Sequence, residues 1–302
     1  MRFCIEVWGN SYEDIKATCI LAENLGYFGF YYGESLTNID MDCWTVISHL
    51  SAITNKIRLG PIITYLFPQY RSVALLAKQA VTFHDLSGGR FDFRTGAGAT
   101  LQYASEWWYP FGIPYPNVRE RIEILSEGLQ ILHKFWNGNS VFFDGNHFKL
   151  NGGTLHRTNL RIPVTVAAMG ERTMAIAARY ADVWEVSYIS PNKFKNIEKI
   201  FKDICNREGR DNKNNNKIVR SIELDVILAK SDLELEYKKK LFIMNRGTRD
   251  LAQIMNNGLV GTPDEINEKI KEYVKAGVDQ FFLAFPDPFK HDDLELFIDS
   301  VK

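Results

Sequence analysis

The sequence predicts an α/β chain whose parallel strands close into a (β/α)8 barrel, and three observations lead there. β-prone runs and amphipathic helices alternate to give eight strand–helix units. The 302 residues suffice for one large barrel with its ring of helices. The first strand–helix turn, EVWGNSYED from Glu6 to Asp14, lacks the G-x-G-x-x-G of a dinucleotide-binding fold. The competing doubly wound open sheet thereby loses its best mark. Residues 1–302 are accordingly read as one barrel domain.

Phe3–Val7 is the first β-prone run. Ser11 stands three residues before Asp14 at capping-box spacing, and Ile15, Cys19, Ala22 and Leu25 line one face of a helix that Gly26 ends. Strands follow at Phe28–Tyr32 and Lys56–Thr64, with helices at Cys43–Thr54 and Ser72–Leu86. Ser87-Gly88-Gly89 turns the chain into a fourth strand, Arg90–Arg94. The fourth helix has the clearest pattern. Val118, Ile122, Leu125, Leu129, Leu132 and Trp136 form one apolar stripe, and Arg119, Glu120, Arg121, Glu123 and Glu127 lie mostly off it. Asp144-Gly145 between β-prone flanks then predicts a two-residue hairpin turn, a small β-hairpin excursion after the fourth helix.

Alternation resumes with strands at Pro163–Ala168, Val183–Tyr188, Ile222–Ala229 and Asp279–Phe285. Helices are expected at Thr173–Tyr180, Asn192–Arg207, Glu234 to about Met255, Thr262–Gly277 and Asp293–Val301. Thr262-Pro263-Asp264-Glu265 combines an N-cap, a proline at the first helical position and a capping box. The polar tract Asp211–Lys217 reads as a solvated loop.

Composition narrows the function classes. Hydrophobic residues are 45% and charged residues 24%, which excludes a disordered chain. Lys+Arg is 36 against Asp+Glu at 37, so nothing favours nucleic acid or an anionic membrane as partner. The chain opens directly on a strand, no apolar run is long enough to span a bilayer, and a cytoplasmic location is expected. Cys4, Cys19, Cys43 and Cys205 and the six histidines form no metal-ligand spacing. An aromatic content of 13% suits either a large apolar ligand pocket or a large core.

Ligand sites in such barrels lie at the C-terminal strand ends. That end, the mouth, takes in Glu6, Trp8, Gly33 to Ser35, Thr64 to Arg71, Gly96, Gly98, Thr100, Gln102, Ala168 to Thr173, Glu185, Tyr188 and Ala284 to Asp287. Arg94-Thr95-Gly96-Ala97-Gly98-Ala99-Thr100 is a glycine-rich turn, read either as a close approach to a flat ligand or as a tight turn without one. Ala168-Met169-Gly170-Glu171-Arg172-Thr173 opens a helix after a strand. Its amides would hold a phosphate, or it is an ordinary helix start.

Six segments follow one another along nearly the whole chain: AENLGYFGFYYGESL, KIRLGPIIT, LLAKQAVTFHDLSGGRFDFRTGAGA, VRERIEILSEGLQILHKFW, IPVTVAAMGERTMAIAARYADVW and VGTPDEINEKIKEYVKAGVDQFFLAF. In this order the chain resembles the luciferase-like flavin-dependent oxidoreductases, (β/α)8 TIM barrels that use FMN or a deazaflavin coenzyme of the F-420 type. The resemblance implies a non-proline cis peptide behind the flavin ring at Ile62–Ile63 or Pro61–Ile62, with Thr64 at the ring's polar edge. It implies Gly96, Gly98 and Gln102 along the pyrimidine edge and ribityl chain, and Ala168, Met169, Gly170, Glu171, Arg172 and Thr173 around the phosphate.

Two departures stand out. Where many relatives have an acid–His pair after the second strand, this chain has Glu34-Ser35, and where dehydrogenase relatives place a Glu in the glycine turn it has Ala99. Glu34, with Ser35 beside it, is either catalytic or a structural carboxylate. Glu6, Tyr65, Tyr70, Arg71 and Glu185 are candidate substrate contacts. The resemblance implies a hydride-transfer oxidoreductase acting on a small-molecule substrate, as a homodimer. The alternatives are an FMN-dependent monooxygenase fed reduced flavin by a partner reductase, and a flavin-binding barrel without catalysis.

Overall fold

The computed structural model describes the chain apart from positions 10, 38, 40, 157–159, 211–216, 247–250, 287–289 and 302. Eight parallel strands build the barrel: β1 (Arg2–Val7), β2 (Gly29–Gly33), β3 (Arg58–Ile62), β4 (Phe93–Gly96), β7 (Val164–Ala167), β8 (Val183–Ser187), β9 (Val219–Leu228) and β11 (Gln280–Ala284). Their order is β3-β2-β1-β11-β9-β8-β7-β4. Parallel bridges Leu59–Phe91 and Thr64–Thr95 bring the two ends of that order together. The barrel expected from alternation holds.

Helices α1 (Tyr12–Leu25), α2 (Cys43–Ile53), α3 (Val73–Leu86), α5 (Val118–Trp136), α6 (Glu171–Tyr180), α7 (Pro191–Arg207), α10 (Pro263–Ala276) and α11 (His291–Val301) surround it. The caps read from sequence form. Asp14 N–H donates to Ser11 Oγ at 3.3 Å, and Thr262 N–H donates to Glu265 Oε2 at 2.8 Å. A short α4 (Leu101–Ala104) and two 3-10 turns occupy the loop before α5.

Four expectations change. Arg121, grouped with the charges mostly off the apolar stripe of α5, is buried, because its guanidinium reaches the glycine turn after β4. The hairpin β5 (Val141–Asp144) and β6 (Lys149–Gly153) forms after the predicted helix, but Asp144-Gly145 is not its turn, because Asp144 pairs with Lys149 as the last strand residue. Gly145 N–H donates to Phe148 O at 2.9 Å, while Glu127 of α5 accepts from the amides of Asn146, His147 and Phe148 at 2.9–3.2 Å. The helix expected over 234–255 is two, α8 (Asp232–Arg246) and α9 (Leu251–Asn257), with 247–250 between them outside the described residues. An unexpected β10 (Leu259–Gly261) adds to the end of β9 in parallel. Positions 211–216 of the polar tract, and Asp287 of the expected mouth, also fall outside the described residues.

The pleat sorts the strands' side chains into two sets. Ile5 and Val7, Phe30 and Tyr32, Phe91 and Phe93, Val164 and Val166, Ile222 and Leu224, and Phe281 and Leu283 belong to the large core that packs strands on helices. The alternate positions carry a different population. Cys4, Tyr31, Ile62 and Phe282 form a small cluster, and Glu6, Arg94, Glu185 and Glu223 meet one another above it.

Candidate functional site

β1, β4, β8 and β9 each bring one charged side chain to this meeting point. Arg94 is fully buried. Its Nη1 lies 2.5 Å from Glu6 Oε1, its Nη2 donates to Glu185 Oε1 at 2.6 Å, and Nη2 also lies 3.4 Å from Glu223 Oε2. Its guanidinium stacks 4.1 Å from the centre of the Phe282 ring. Three carboxylates thus share one cation. Ions taken from water cost several kcal/mol each even after relaxation, so the cluster favours holding a proton. Burial pushes the Glu185 carboxyl up to about 7 against the pull of Arg94, with Glu223 adding to the rise. Burial likewise raises Glu6 well above the ordinary carboxylate range, and its Oε2 has no hydrogen-bond partner. Burial works against the Arg94 charge, yet Glu185, Glu6 and Glu223 hold it protonated beyond the usual arginine range.

Glu223 connects this centre to the mouth. It accepts from Ser187 Oγ at 2.9 Å and from the Tyr188 hydroxyl. Tyr188 has φ 54°, the left-handed region that non-glycine residues seldom enter. Its N–H donates to Glu223 O at 2.9 Å, and Asn257 Nδ2 donates to its carbonyl at 3.0 Å, which together hold that conformation.

A second buried carboxylate, Glu34, follows β2. It accepts from Thr64 Oγ1 at 2.7 Å and Trp44 Nε1 at 3.2 Å and faces Arg71 Nη2 at 3.0 Å. Burial raises its pKa, opposed by Arg71, Thr64, Tyr70 and Trp44. Glu34, Thr64, Tyr70 and Arg71 are therefore one assembly, and Ser35 lies beside it, half-buried, accepting from Thr37 N–H at 3.3 Å. Tyr65 packs edge-on against Trp108, with ring centres 4.9 Å apart.

The glycine turn closes on the protein itself. Gly98 has φ 81°, and a Cβ there would sit 2.5 Å from the Tyr115 hydroxyl. Tyr115 donates to Ala99 O at 2.9 Å, and Arg121 donates to the carbonyls of Ala97 and Ala99 and to the Tyr115 hydroxyl. Gly98 is thus demanded by internal packing. Ile63 is half-buried beside Gly96, and Gln102 is exposed on α4.

The segment expected around the phosphate differs from residue to residue. Ala168 is buried with both backbone groups engaged: its N–H donates to Glu185 O at 2.9 Å and its carbonyl accepts from Trp184 Nε1 at 2.7 Å. Met169, Gly170, Glu171 and Arg172 are exposed, and Thr173 is half-buried. Gly170 N–H donates to Thr173 Oγ1 at 3.3 Å. A Cβ at Gly170 would meet nothing nearer than Thr173 Oγ1 at 3.8 Å, so the approach to the start of α6 is open. The first amides of α6 have no acceptor within the helix. Leu36, Leu101 and Met169, in loops after three different strands, expose apolar side chains at this end. Open amides at a helix start, apolar side chains around the mouth and a partnerless buried oxygen below suit a flat redox ring with a phosphorylated tail.

Sequence reasoning placed Glu6 and Glu185 among substrate contacts, whereas both turn to Arg94. It missed Glu223, although alternation in Ser221-Ile222-Glu223-Leu224-Asp225 was the available signal: apolar residues on one face, polar on the other. Among the described residues no group of three or more His, Cys, Asp or Glu is placed to hold a metal ion, and no helix is long and apolar enough to cross a membrane.

A model of the luciferase-like monooxygenase family matches residues 6–280. A methylenetetrahydromethanopterin reductase from Archaeoglobus fulgidus is 24% identical, covering 98% of this chain and 97% of its own. A pyrimidine monooxygenase from Acinetobacter baylyi is 23% identical over 78% of this chain and 62% of its own. A solved secondary alcohol dehydrogenase dependent on coenzyme F-420, in complex with a coenzyme–acetone adduct, superposes with a TM-score of 0.83 at 18% identity, covering 100% of both chains.

Proposed function

The chain belongs to the luciferase-like monooxygenase family, and on that premise we propose that it is a hydride-transferring oxidoreductase. It uses a deazaflavin coenzyme of the F-420 type, or FMN, on a small organic substrate. The supporting observation is that the open start of α6 and the buried Arg94 centre lie at the same end of the barrel.

The coenzyme, when bound, supplies the hydride donor or acceptor. The chain supplies binding, shielding and protons. The amides that start α6, with Arg172 beside them, hold the tail phosphate. Leu36, Leu101 and Met169 keep water from the ring. Hydride transfer at a carbonyl or alcohol carbon requires a proton at oxygen. Tyr188, donating to Glu223, holds one at the mouth, and Glu185 below it, with a pKa of about 7, is a reserve. Glu34, kept in place by Arg71 and Thr64, is the other proton-holding group. The working unit is a homodimer of single-domain chains in the cytoplasm, taking a small-molecule substrate.

The similarity to a pyrimidine monooxygenase supports a second reading, an FMN monooxygenase supplied with reduced flavin by a partner reductase. Titration of the ligand-free chain with FMN and with the deazaflavin, side by side, tests both. Preference for the deazaflavin is expected. Preference for FMN with oxygen uptake moves the conclusion to the monooxygenase, bound flavin without turnover to a non-catalytic barrel, and no binding of either refutes all three. Gly170→Trp places a side chain in open space. It should leave the melting temperature unchanged and lower coenzyme affinity about tenfold or more, because it covers the helix start.

A further inference from the structure

The end of the barrel away from the mouth contains a concavity of its own. Trp136 closes α5, Tyr180 closes α6, Asp182 precedes β8 and Arg210 follows α7. With His133 and neighbouring side chains they line a cavity of about 630 Å³, within the range of small-molecule sites.

Its charges are unevenly satisfied. Asp182 accepts from Val164 N–H at 3.0 Å and from Arg161 Nη2 at 3.2 Å. Arg179 is held by both oxygens of Glu208, at 2.5 and 2.9 Å. Arg210 has no carboxylate within ion-pair distance among the described residues. Among the described residues, its Nη1 and Nη2 donate only to the carbonyls of Ala178, Arg179 and Ala181, and its Nε has no partner. Among the described residues, one cation facing the cavity is thus left without an anion.

One wall is aromatic. The His133 ring lies 5.8 Å from Trp136 and 5.5 Å from Tyr180, centre to centre. Trp136 Nε1 is spent on Ala77 O at 3.2 Å, and its nearly buried ring belongs to the cavity lining. His133 Nε2 has no partner. Burial lowers the His133 pKa, which keeps the ring neutral and its free nitrogen an acceptor.

We propose that this cavity is a second ligand site, separate from the mouth, for a small aromatic carboxylate. The carboxylate pairs with Arg210, and the ring lies against His133, Trp136 and Tyr180. A charge-assisted bond to a guanidinium without a counter-ion and an aromatic wall are the two features such a ligand needs. The proposal does not depend on which coenzyme the mouth takes.

The test uses the intact chain and benzoate, with sodium sulfate as the ring-free anion, read by calorimetry and by the ring resonances of His133 in nuclear magnetic resonance. Saturable one-to-one benzoate binding is expected, with His133 shifting and with affinity unchanged by saturating FMN. Arg210→Gln should weaken it about tenfold or more. Arg210 also caps α6. If that variant does not fold, the His133 shift in the unaltered chain decides alone. Binding that leaves His133 unmoved, competition by FMN, sulfate binding as tightly as benzoate, or no saturable binding would each overturn the proposal.

Discussion

Replacing Glu185 with Gln should strip a pH dependence from the folding stability. The carboxyl titrates near 4.5 in the unfolded chain and near 7 when folded, because burial outweighs the pull of Arg94. A raised acid binds more protons folded than unfolded. Its contribution is therefore complete below about pH 4.5 and is lost as pH rises through about 7. Most of that contribution, on the order of 3 kcal/mol, is present at pH 5 and nearly none at pH 8. Glu6 is raised in the same sense and shares the same guanidinium, so the curve belongs to the cluster. His84 and His133, lowered by burial, act with the opposite sign, but are the same in both proteins and cancel in the difference. Gln keeps the shape and still accepts from Arg94. Urea unfolding of both proteins at intervals from pH 5 to pH 8 gives the comparison. The difference in stability between wild type and variant should fall by on the order of 3 kcal/mol across that range. Parallel curves would show that Glu185 is ionised throughout and would refute the shared-proton account.

Arg71→Met leaves the buried Glu34 carboxylate without its cation. It should cost about 3 kcal/mol in urea unfolding at pH 8 and less as pH falls, because burial already raises the Glu34 pKa and loss of Arg71 removes the largest opposing pull. Gly98→Ala forces a side chain into a left-handed position 2.5 Å from the Tyr115 hydroxyl. A loss of about 2 kcal/mol or more in thermal unfolding is expected, only partly recovered by adding Tyr115→Phe, since the backbone strain remains. Glu127→Ala removes the acceptor of three hairpin amides. It should speed hydrogen exchange at Asn146, His147 and Phe148 and lower stability by about 1–2 kcal/mol.

The barrel was legible because its signals are local. Ser11 and Asp14, and Thr262 and Glu265, announce helix starts within four residues, and both form as read. The site was legible only in outline. Strand direction places Glu6, Glu34, Thr64 and Glu185 at the right end, but not their partners, since Arg94 lies 91 residues from Glu185 in the chain. The burial of Arg121 was not legible from the stripe because it depends on a turn more than twenty residues earlier. The Asp144-Gly145 turn was misread for the same reason: Glu127, on another element, gathers the amides that a tight turn would have paired internally. Glu223 was within reach, because a charged residue alternating with Ile222 and Leu224 in a buried strand has only the barrel axis to face.

The division of labour between the two faces of each strand has an evolutionary corollary. The oily annulus outside the staves carries the cohesion of the molecule, while the axis carries ions that add little to it. Residues along the axis can therefore be exchanged in charge-balanced sets, redirecting the chemistry offered at the open end, while the wheel that holds them keeps its shape.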